Sequence, residues 1–298
     1  MNLKIGVIGV PGGWSTERLA AAVRETGAQA EILDLRECSM QLPDRRLFHR
    51  GRAVEGLAAV AVKKIGDTAE GSIVQERINL LRLLESGGIP VFSRPDRIAM
   101  AVNRYQMTVE LVRAGLPVPE TVITESTTDV ERAVERFGVA VLKPLFTSKG
   151  RGMVLLDASH DVRASLERSQ LEGAGPHYLQ RFIKHPGRDL GVAVLDGQVL
   201  GAYWRVAKDE QWMTTIHAGG RYERADPPPA ALDLALRAAE HFGLLFTGVD
   251  LVETEDKGFV VLEVSAFGGF RGLLTANGVE AAPMIAKAVL DRLARTSR

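Results

Sequence analysis

Thr247-Gly-Val-Asp-Leu-Val-Glu-Thr-Glu-Asp-Lys-Gly-Phe-Val-Val-Leu-Glu-Val-Ser265 consists of two β-branched runs around a polar Glu255-Asp256-Lys257-Gly258 turn, the pattern of a hairpin. A two- or four-residue loop centred on that turn sets Asp250 opposite Glu263. Cross-strand partners have Cβ atoms roughly 4.5 to 5.5 Å apart, so two carboxylates there repel unless a cation neutralises them. Mg²⁺ suits such a pair, because it accepts carboxylate oxygens together with phosphate oxygens. The competing reading is a solvated hairpin with acids on its wet face. A slip of one residue in register separates the pair.

The rest of the chain narrows the classes open to it. Its 298 residues, 46% hydrophobic and 25% charged, can bury a sizeable core and fill two or three domains. The 37 basic and 37 acidic residues cancel, leaving no net field to recruit nucleic acid or an anionic membrane. Cys38 is the only cysteine, which excludes an internal disulfide and a multi-cysteine metal site and agrees with a reducing cytoplasm. No apolar run approaches the length of a membrane span, and Lys4-Ile-Gly-Val-Ile-Gly-Val10 is a short strand-like run without the features of a signal peptide. A cytoplasmic protein with neither nucleic-acid nor membrane partners is expected.

Strand-like and helix-like patterns alternate through the first ninety or so residues, which predicts an α/β unit with a largely parallel sheet over 1–94. Strands are predicted at Lys4 to Val10, Ala30 to Leu33, Leu57 to Val62 and Ile89 to Phe92. Ser15-Thr16 is expected to cap a helix that turns Leu19, Ala22 and Val23 inward. From Pro95 one helix carrying Val102, Val109 and Val112 should run to Gly115. After it, Thr127 caps a shorter helix that leads into the strand Val139 to Lys143, giving an α+β unit over 95–178. From Tyr178 onward an antiparallel meander turns at Asp196-Gly197, and the hairpin above and a last helix from Pro283 complete a third unit, 179–298.

Lys143-Pro-Leu-Phe-Thr-Ser-Lys-Gly-Arg-Gly152 places a lysine at a strand end before a glycine loop with a hydroxyl and two more cations. Glycines let backbone N–H groups approach phosphate oxygens while the cations supply countercharge. It is not a Walker A loop, since no G-x-x-x-x-G-K-[ST] occurs. A cationic surface hairpin is the plain alternative. The N-terminal Gly6-Val-Ile-Gly-Val-Pro-Gly-Gly13 is not G-x-G-x-x-G, so a dinucleotide-dependent oxidoreductase ranks last among the readings.

Taken in order, these pieces resemble the RimK-like group of the ATP-grasp carboxylate–amine ligases over residues about 96 to 292. The resemblance rests on Leu116-Pro-Val-Pro-Glu-Thr121, Val141-Leu-Lys-Pro-Leu-Phe146 with Ser148-Lys-Gly-Arg-Gly152, and Gln180-Arg-Phe-Ile183. It continues through Gly187-Arg-Asp189, Tyr203-Trp-Arg-Val206, Gly219-Gly220, Gly248-Val-Asp-Leu251 and Glu263-Val-Ser265, and the lysine loop is similar to that of the tetrahydromethanopterin and coenzyme F420 glutamate ligases. It implies an α/β (α+β) ATP-grasp fold behind an N-terminal pre-ATP-grasp domain, with ATP and Mg²⁺ or Mn²⁺ as cofactors. The reaction implied joins an amino acid, foremost glutamate, to a small-molecule or peptide carboxylate acceptor; a homo-oligomer is left open.

The resemblance also implies roles. Arg104, Lys143, Ser148, Lys149, Gly150 and Gly152 would hold phosphates, and Gln180, Phe182 and Ile183 would form the adenine hinge. Asp189 and Thr215 would lie near the nucleotide, Asp250, Glu263 and Ser265 would hold the metal, and Arg205 would neutralise the moving phosphoryl group. Asp189 and Arg205 could instead pair with each other, Gln180 could face solvent, and Phe182 and Ile183 read as core residues. Gly12 to Ser15 would border the acceptor site, and His217 would sit in a loop lining the active site. The chain departs from the family pattern at Asn103-Arg104, Arg181, Gly191, Thr215 and Ser265, where the family uses Asp-Lys, an acid, arginine, asparagine and asparagine. Those departures motivate a rival reading, a catalytically weakened ATP-binding regulatory protein.

Overall fold

The computed structural model describes residues 3–67, 70–169, 176–209, 211–256 and 258–296; Lys257 of the predicted turn lies outside them. The chain begins with β1 (Lys4–Ile8), α1 (Trp14–Glu25) and β2 (Gln29–Leu33), then three short strands, β3 (Cys38–Gln41), β4 (Arg46–His49) and β5 (Arg52–Ala53). β6 (Leu57–Val62), α2 (Gly71–Ser86) and β7 (Val91–Phe92) complete the first unit. Its sheet, ordered β2-β1-β6-β7, is parallel, as the βαβ rhythm predicts. The separate antiparallel sheet β3-β4-β5 has no counterpart in the predicted elements. Its period-two signal is masked by Arg45, Arg46, Arg50 and Arg52, and Leu47 is the one buried side chain of its three strands.

The α1 cap differs from expectation. Gly13 is the N-cap residue, with no side-chain cap, and Thr16 is buried in the first turn against Gly9, where a Cβ would lie 2.4 Å from its Oγ1. Leu19, Ala22 and Val23 do point inward.

The single helix expected from Pro95 is two, α3 (Pro95–Val102) and α4 (Arg104–Arg113). Asn103 breaks it: its backbone is extended, and its side chain accepts hydrogen bonds from the N–H groups of Tyr105 and Gln106. The break rotates the buried face of α4 to Met107, Thr108 and Leu111. Val109 and Val112 are 37% and 59% exposed.

β8 (Thr121–Thr124), α5 (Thr127–Phe137), β9 (Val139–Lys143), β10 (Val154–Asp157), α6 (Val162–Arg168) and β11 (His177–Arg181) form the next unit. Its antiparallel sheet, β10-β9-β11-β8, packs on a core of its own that includes Val130, Val134, Phe137, Leu142, Leu156 and Leu179. The cap of α5 is Ser126, whose hydroxyl accepts from the Asp129 N–H, and not Thr127. β11 pairs with β8 and β9, so it crosses the expected division at 178/179 and stands outside the predicted meander.

β12 (Arg188–Leu195), β13 (Gln198–Val206), β14 (Arg221–Arg224), α7 (Pro229–Phe242), β15 (Phe246–Glu253), β16 (Phe259–Val264), α8 (Arg271–Asn277) and α9 (Ala281–Thr296) follow. The antiparallel sheet β14-β13-β12-β15-β16 buries Leu190, Val192, Val194, Val249 and Leu251 in one cluster with Ala235, Ala238 and Phe242 of α7. Each Val, Leu or Phe side chain so buried is worth roughly 1.5 to 3 kcal/mol before entropy is subtracted. Period-two alternation then sends Asp189, Gly191, Tyr203, Arg205 and Asp250 to the opposite face. α9 returns to the first unit, where Ile285, Val289 and Leu293 join one apolar cluster with Leu19, Val23, Ala59 and Ala61.

Candidate active site

The hairpin reaches its predicted pairing by an unpredicted route. Glu253 pairs with Phe259, Val252 with Val260 and Leu251 with Val261, one residue away from the register of a symmetric four-residue loop. Leu262 is then an extra residue, a β-bulge, beyond which Asp250 opposes Glu263. The pairings continue across the sheet, so Tyr203, Gly191, Asp250 and Glu263 occupy one row over four strands, and Asp189 opposes Arg205 beside it.

Gly191 is the small member of that row. A Cβ there would lie 2.8 Å from the Tyr203 ring, so an aromatic ring fills the space beside it. Arg205 reaches across to ion-pair with Asp250 at 2.9 Å, while its Nε donates to Asp189 at 3.0 Å. The pairing of Asp189 with Arg205 weighed from sequence is therefore present, extended by Asp250. Burial works against the Arg205 charge, but Asp189 and Asp250 outweigh it and hold its pKa well above the ordinary value. Burial pushes the Asp250 carboxyl up, against Arg205 and with the help of Asp189 and Glu263.

This row lines a cavity of about 420 Å³. Lys143, at the end of β9, faces the two carboxylates from the neighbouring sheet. Its Nζ donates to Gln180 Oε1 at 2.5 Å, and Gln180 Nε2 donates to Tyr178 Oη at 3.1 Å and Thr121 Oγ1 at 3.3 Å. Gln180 is thus buried and holds the lysine instead of facing solvent. Burial, followed by Arg104, brings Lys143 down to about 7, with Glu263 and Asp250 pulling the other way.

Ser148, Lys149 and Gly150 form one edge of the cavity and Thr215 another, and a Cβ on Gly150 would lie 3.2 Å from the Thr215 methyl. Lys149 and Gly150 both adopt positive φ, a conformation that glycine accepts at least cost. Val141, Met153, Phe182, Ile183 and Leu262 give the same cavity apolar lining of the kind a flat heteroaromatic ring packs against. Phe182 and Ile183 are half-buried cavity residues and not core, with Phe182 edge-on to Trp212 at 6.4 Å.

Other expectations are displaced. Arg104 does not line the cavity; it is 5% exposed, donates to the Pro144 carbonyl, and lies 3.5 Å from Glu263 Oε2, so it steadies a carboxylate from behind. Gly152 and the exposed His217 also lie outside the lining. Ser265 is in the wall two residues beyond Glu263, and Ser15 contributes from the N-terminal unit.

Lys63 and Lys64, which the sequence reading passed over, line the cavity as well. Their signal is a lysine pair directly after the apolar strand Leu57–Val62, at the carboxyl end of a parallel sheet where open α/β folds place ligands.

The donor set fits Mg²⁺. Two carboxylates on adjacent strands share one cavity wall with a hydroxyl, an all-oxygen donor set of the kind Mg²⁺ takes. Asp250, Glu263 and Ser265 would hold it.

The RimK PreATP-grasp domain model matches residues 3–98, and the RimK-like ATP-grasp domain model matches residues 101–289. The chain belongs to the RimK-like ATP-grasp family. A tetrahydromethanopterin:alpha-L-glutamate ligase of Methanosarcina acetivorans is 34% identical over 317 residues, covering 95% of this chain and 97% of that one. A RimK domain ATP-grasp protein from Sphaerobacter thermophilus superposes with a TM-score of 0.75 at 26% identity, covering 96% and 98% of the two chains. The ATP-grasp ligase PsnB, solved with Mg, ADP and a phosphomimetic variant of its minimal precursor, shares the fold at a TM-score of 0.75 and 22% identity, over 98% and 99%. As a RimK-like ATP-grasp protein the chain is an ATP-dependent carboxylate–amine ligase.

Proposed function

We propose that the chain adds an amino acid, glutamate foremost, to a carboxylate acceptor through an acylphosphate. The observation that carries this reading is the opposition, across one cavity, of Lys143 to the Asp250–Glu263 pair, with apolar lining in the same cavity. Phe182, Ile183 and Leu262 would hold the base of ATP, and Lys143 with the Ser148 to Gly150 edge would hold its phosphates. Mg²⁺ bound at Asp250 and Glu263 supplies charge neutralisation to the triphosphate.

The acceptor carboxylate oxygen attacks the γ-phosphorus, forming one P–O bond as the bond to ADP breaks. The amine nitrogen of the amino acid then attacks the acyl carbon and phosphate leaves. Arg205, oriented by Asp189, presents its guanidinium to the anionic oxygens of both steps, and the chain's own contribution is mainly positioning and electrostatics. Glutamate as the amine donor rests on the alpha-L-glutamate ligase activity of the Methanosarcina acetivorans relative. The match over 95% of the chain favours the ligase over a weakened regulatory protein.

A cytoplasmic location belongs to this reading and rests on the single cysteine. Among the described residues no helix is long and apolar enough to cross a membrane.

The test is ADP release with Mg²⁺, glutamate and a panel of carboxylate acceptors. Acceptor-dependent ADP and an amide product are expected; nucleotide binding without turnover over a broad panel would favour the regulatory alternative.

A further inference from the structure

The cavity continues past the Asp250–Glu263 pair to the edge of the parallel sheet. Glu263, Ser265, Phe267 and Gly269 line it in alternation, so its wall leads away from the carboxylates toward the N-terminal unit. There Lys63, 6% exposed, crosses from the end of β6 to the loop after β16. Its Nζ donates to the carbonyls of Gly268 at 2.8 Å and Phe267 at 3.2 Å, and stands 5.5 Å from the centre of the Phe270 ring. An ammonium has three donors, so one remains beyond these two bonds.

Charge is less well matched than hydrogen bonding. Lys64 beside it pairs with Asp67 at 2.8 Å, whereas among the described residues no carboxylate lies within ion-pairing distance of Lys63. Burial, then Lys64 and Lys149, press the Lys63 ammonium down to about 7. Carbonyl dipoles compensate a desolvated cation only in part, and an anion completes the compensation. The nucleophile of this reaction class is itself an anion, and it must sit within roughly 3 to 3.5 Å of the phosphorus, on the side away from ADP. With the base at the Phe182 end and the phosphates at Lys143, that side is the Lys63 end.

We propose that Lys63 is the acceptor-binding cation: its ammonium holds the carboxylate end of the acceptor on the N-terminal side of the cavity, selecting anionic acceptors. The proposal rests on the ligase reading above. It makes the pre-ATP-grasp domain a substrate-binding part of the active site, with Ser15 and Lys64 at the same end.

The experiment uses the full chain saturated with the non-hydrolysable analogue AMPPNP and Mg²⁺, and two N-acetylated probes, tetraglutamate and the neutral tetraglutamine amide, titrated by calorimetry. Wild type is expected to bind tetraglutamate and not the neutral peptide. Lys63→Met should weaken tetraglutamate by about tenfold or more, the worth of one charge-assisted hydrogen bond, and Lys63→Arg by less. AMPPNP affinity should be unchanged in both variants. Equal tetraglutamate affinity in Lys63→Met, equal binding of the neutral peptide, or no tetraglutamate binding by wild type would overturn the proposal. A parallel loss of AMPPNP affinity in Lys63→Met would also overturn it, leaving Lys63 as a clamp on the Phe267–Gly268 loop. Failure of wild type to bind AMPPNP at all would instead remove the ligase reading beneath it.

Discussion

Lys143 is an ordinary residue type made unusual by its surroundings. Burial and Arg104 hold it at about 7, below its ordinary 10.5. Between those values the unfolded chain binds more protons than the folded one, so the stability that this group contributes rises with pH through that window. A bound triphosphate favours the ammonium, so nucleotide binding takes up a proton and weakens as pH rises above 7, by at most about tenfold per pH unit for one proton. Calorimetric AMPPNP titrations across that window should show this dependence in wild type and a flatter one in Lys143→Arg, whose guanidinium stays charged; a flat wild-type profile would contradict it. Lys143→Ala should raise the nucleotide Kd by about tenfold or more, having lost a charge-assisted contact. Glu263→Gln should instead leave nucleotide affinity nearly intact and cut Mg²⁺-dependent turnover by about a hundredfold, read as ADP release. Unchanged activity in both variants would sink the site.

At the scale of elements, two local features carry more than their sequences announce. The Leu262 bulge restores the Asp250–Glu263 pairing after an odd turn, and the break at Asn103 turns Arg104 inward behind Glu263. Gly191 is a third: Tyr203 is wedged between it and Gly272, where Cβ atoms would meet the ring at 2.8 and 2.5 Å. Gly191→Ala should therefore overpack the row, costing about 1 to 3 kcal/mol in urea denaturation and displacing Tyr203 beside Arg205. Helix capping supplies a cleaner check. Ser126→Ala should destabilise by about 1 kcal/mol and Thr127→Ala by much less, and the reverse order would restore the cap expected from sequence.

The whole molecule closes one cavity with three units, and long-range contacts decide how. Ser93 Oγ accepts from the Leu245 N–H at 2.8 Å, Arg18 meets Glu280 at 3.1 Å, and α9 lies on α1 and β6 of the first unit. Truncation before Ala281 should consequently lower the melting temperature of the entire chain; an unchanged transition would show that α9 is dispensable. AMPPNP with Mg²⁺ at a hundred times its Kd should add about 2.7 kcal/mol of stability, seen as a raised melting temperature. Local pattern was enough for β1, β6, β8, β9 and the β15–β16 hairpin, because short apolar or β-branched runs bounded by turn residues are what strands covered on both faces require. The ordered series from Lys143 to Glu263 likewise picked out residues that line one cavity, because glycines and charges at fixed spacing limit what the backbone can hold. Periodicity does not record what a face is buried against. The arginine-rich β3–β5 sheet, the membership of β11, the Arg205 bridge to Asp250 and the reach of Lys63 to Gly268, 205 residues away in the chain, were decided only by tertiary packing, which brings together groups whose spacing in sequence carries no signal.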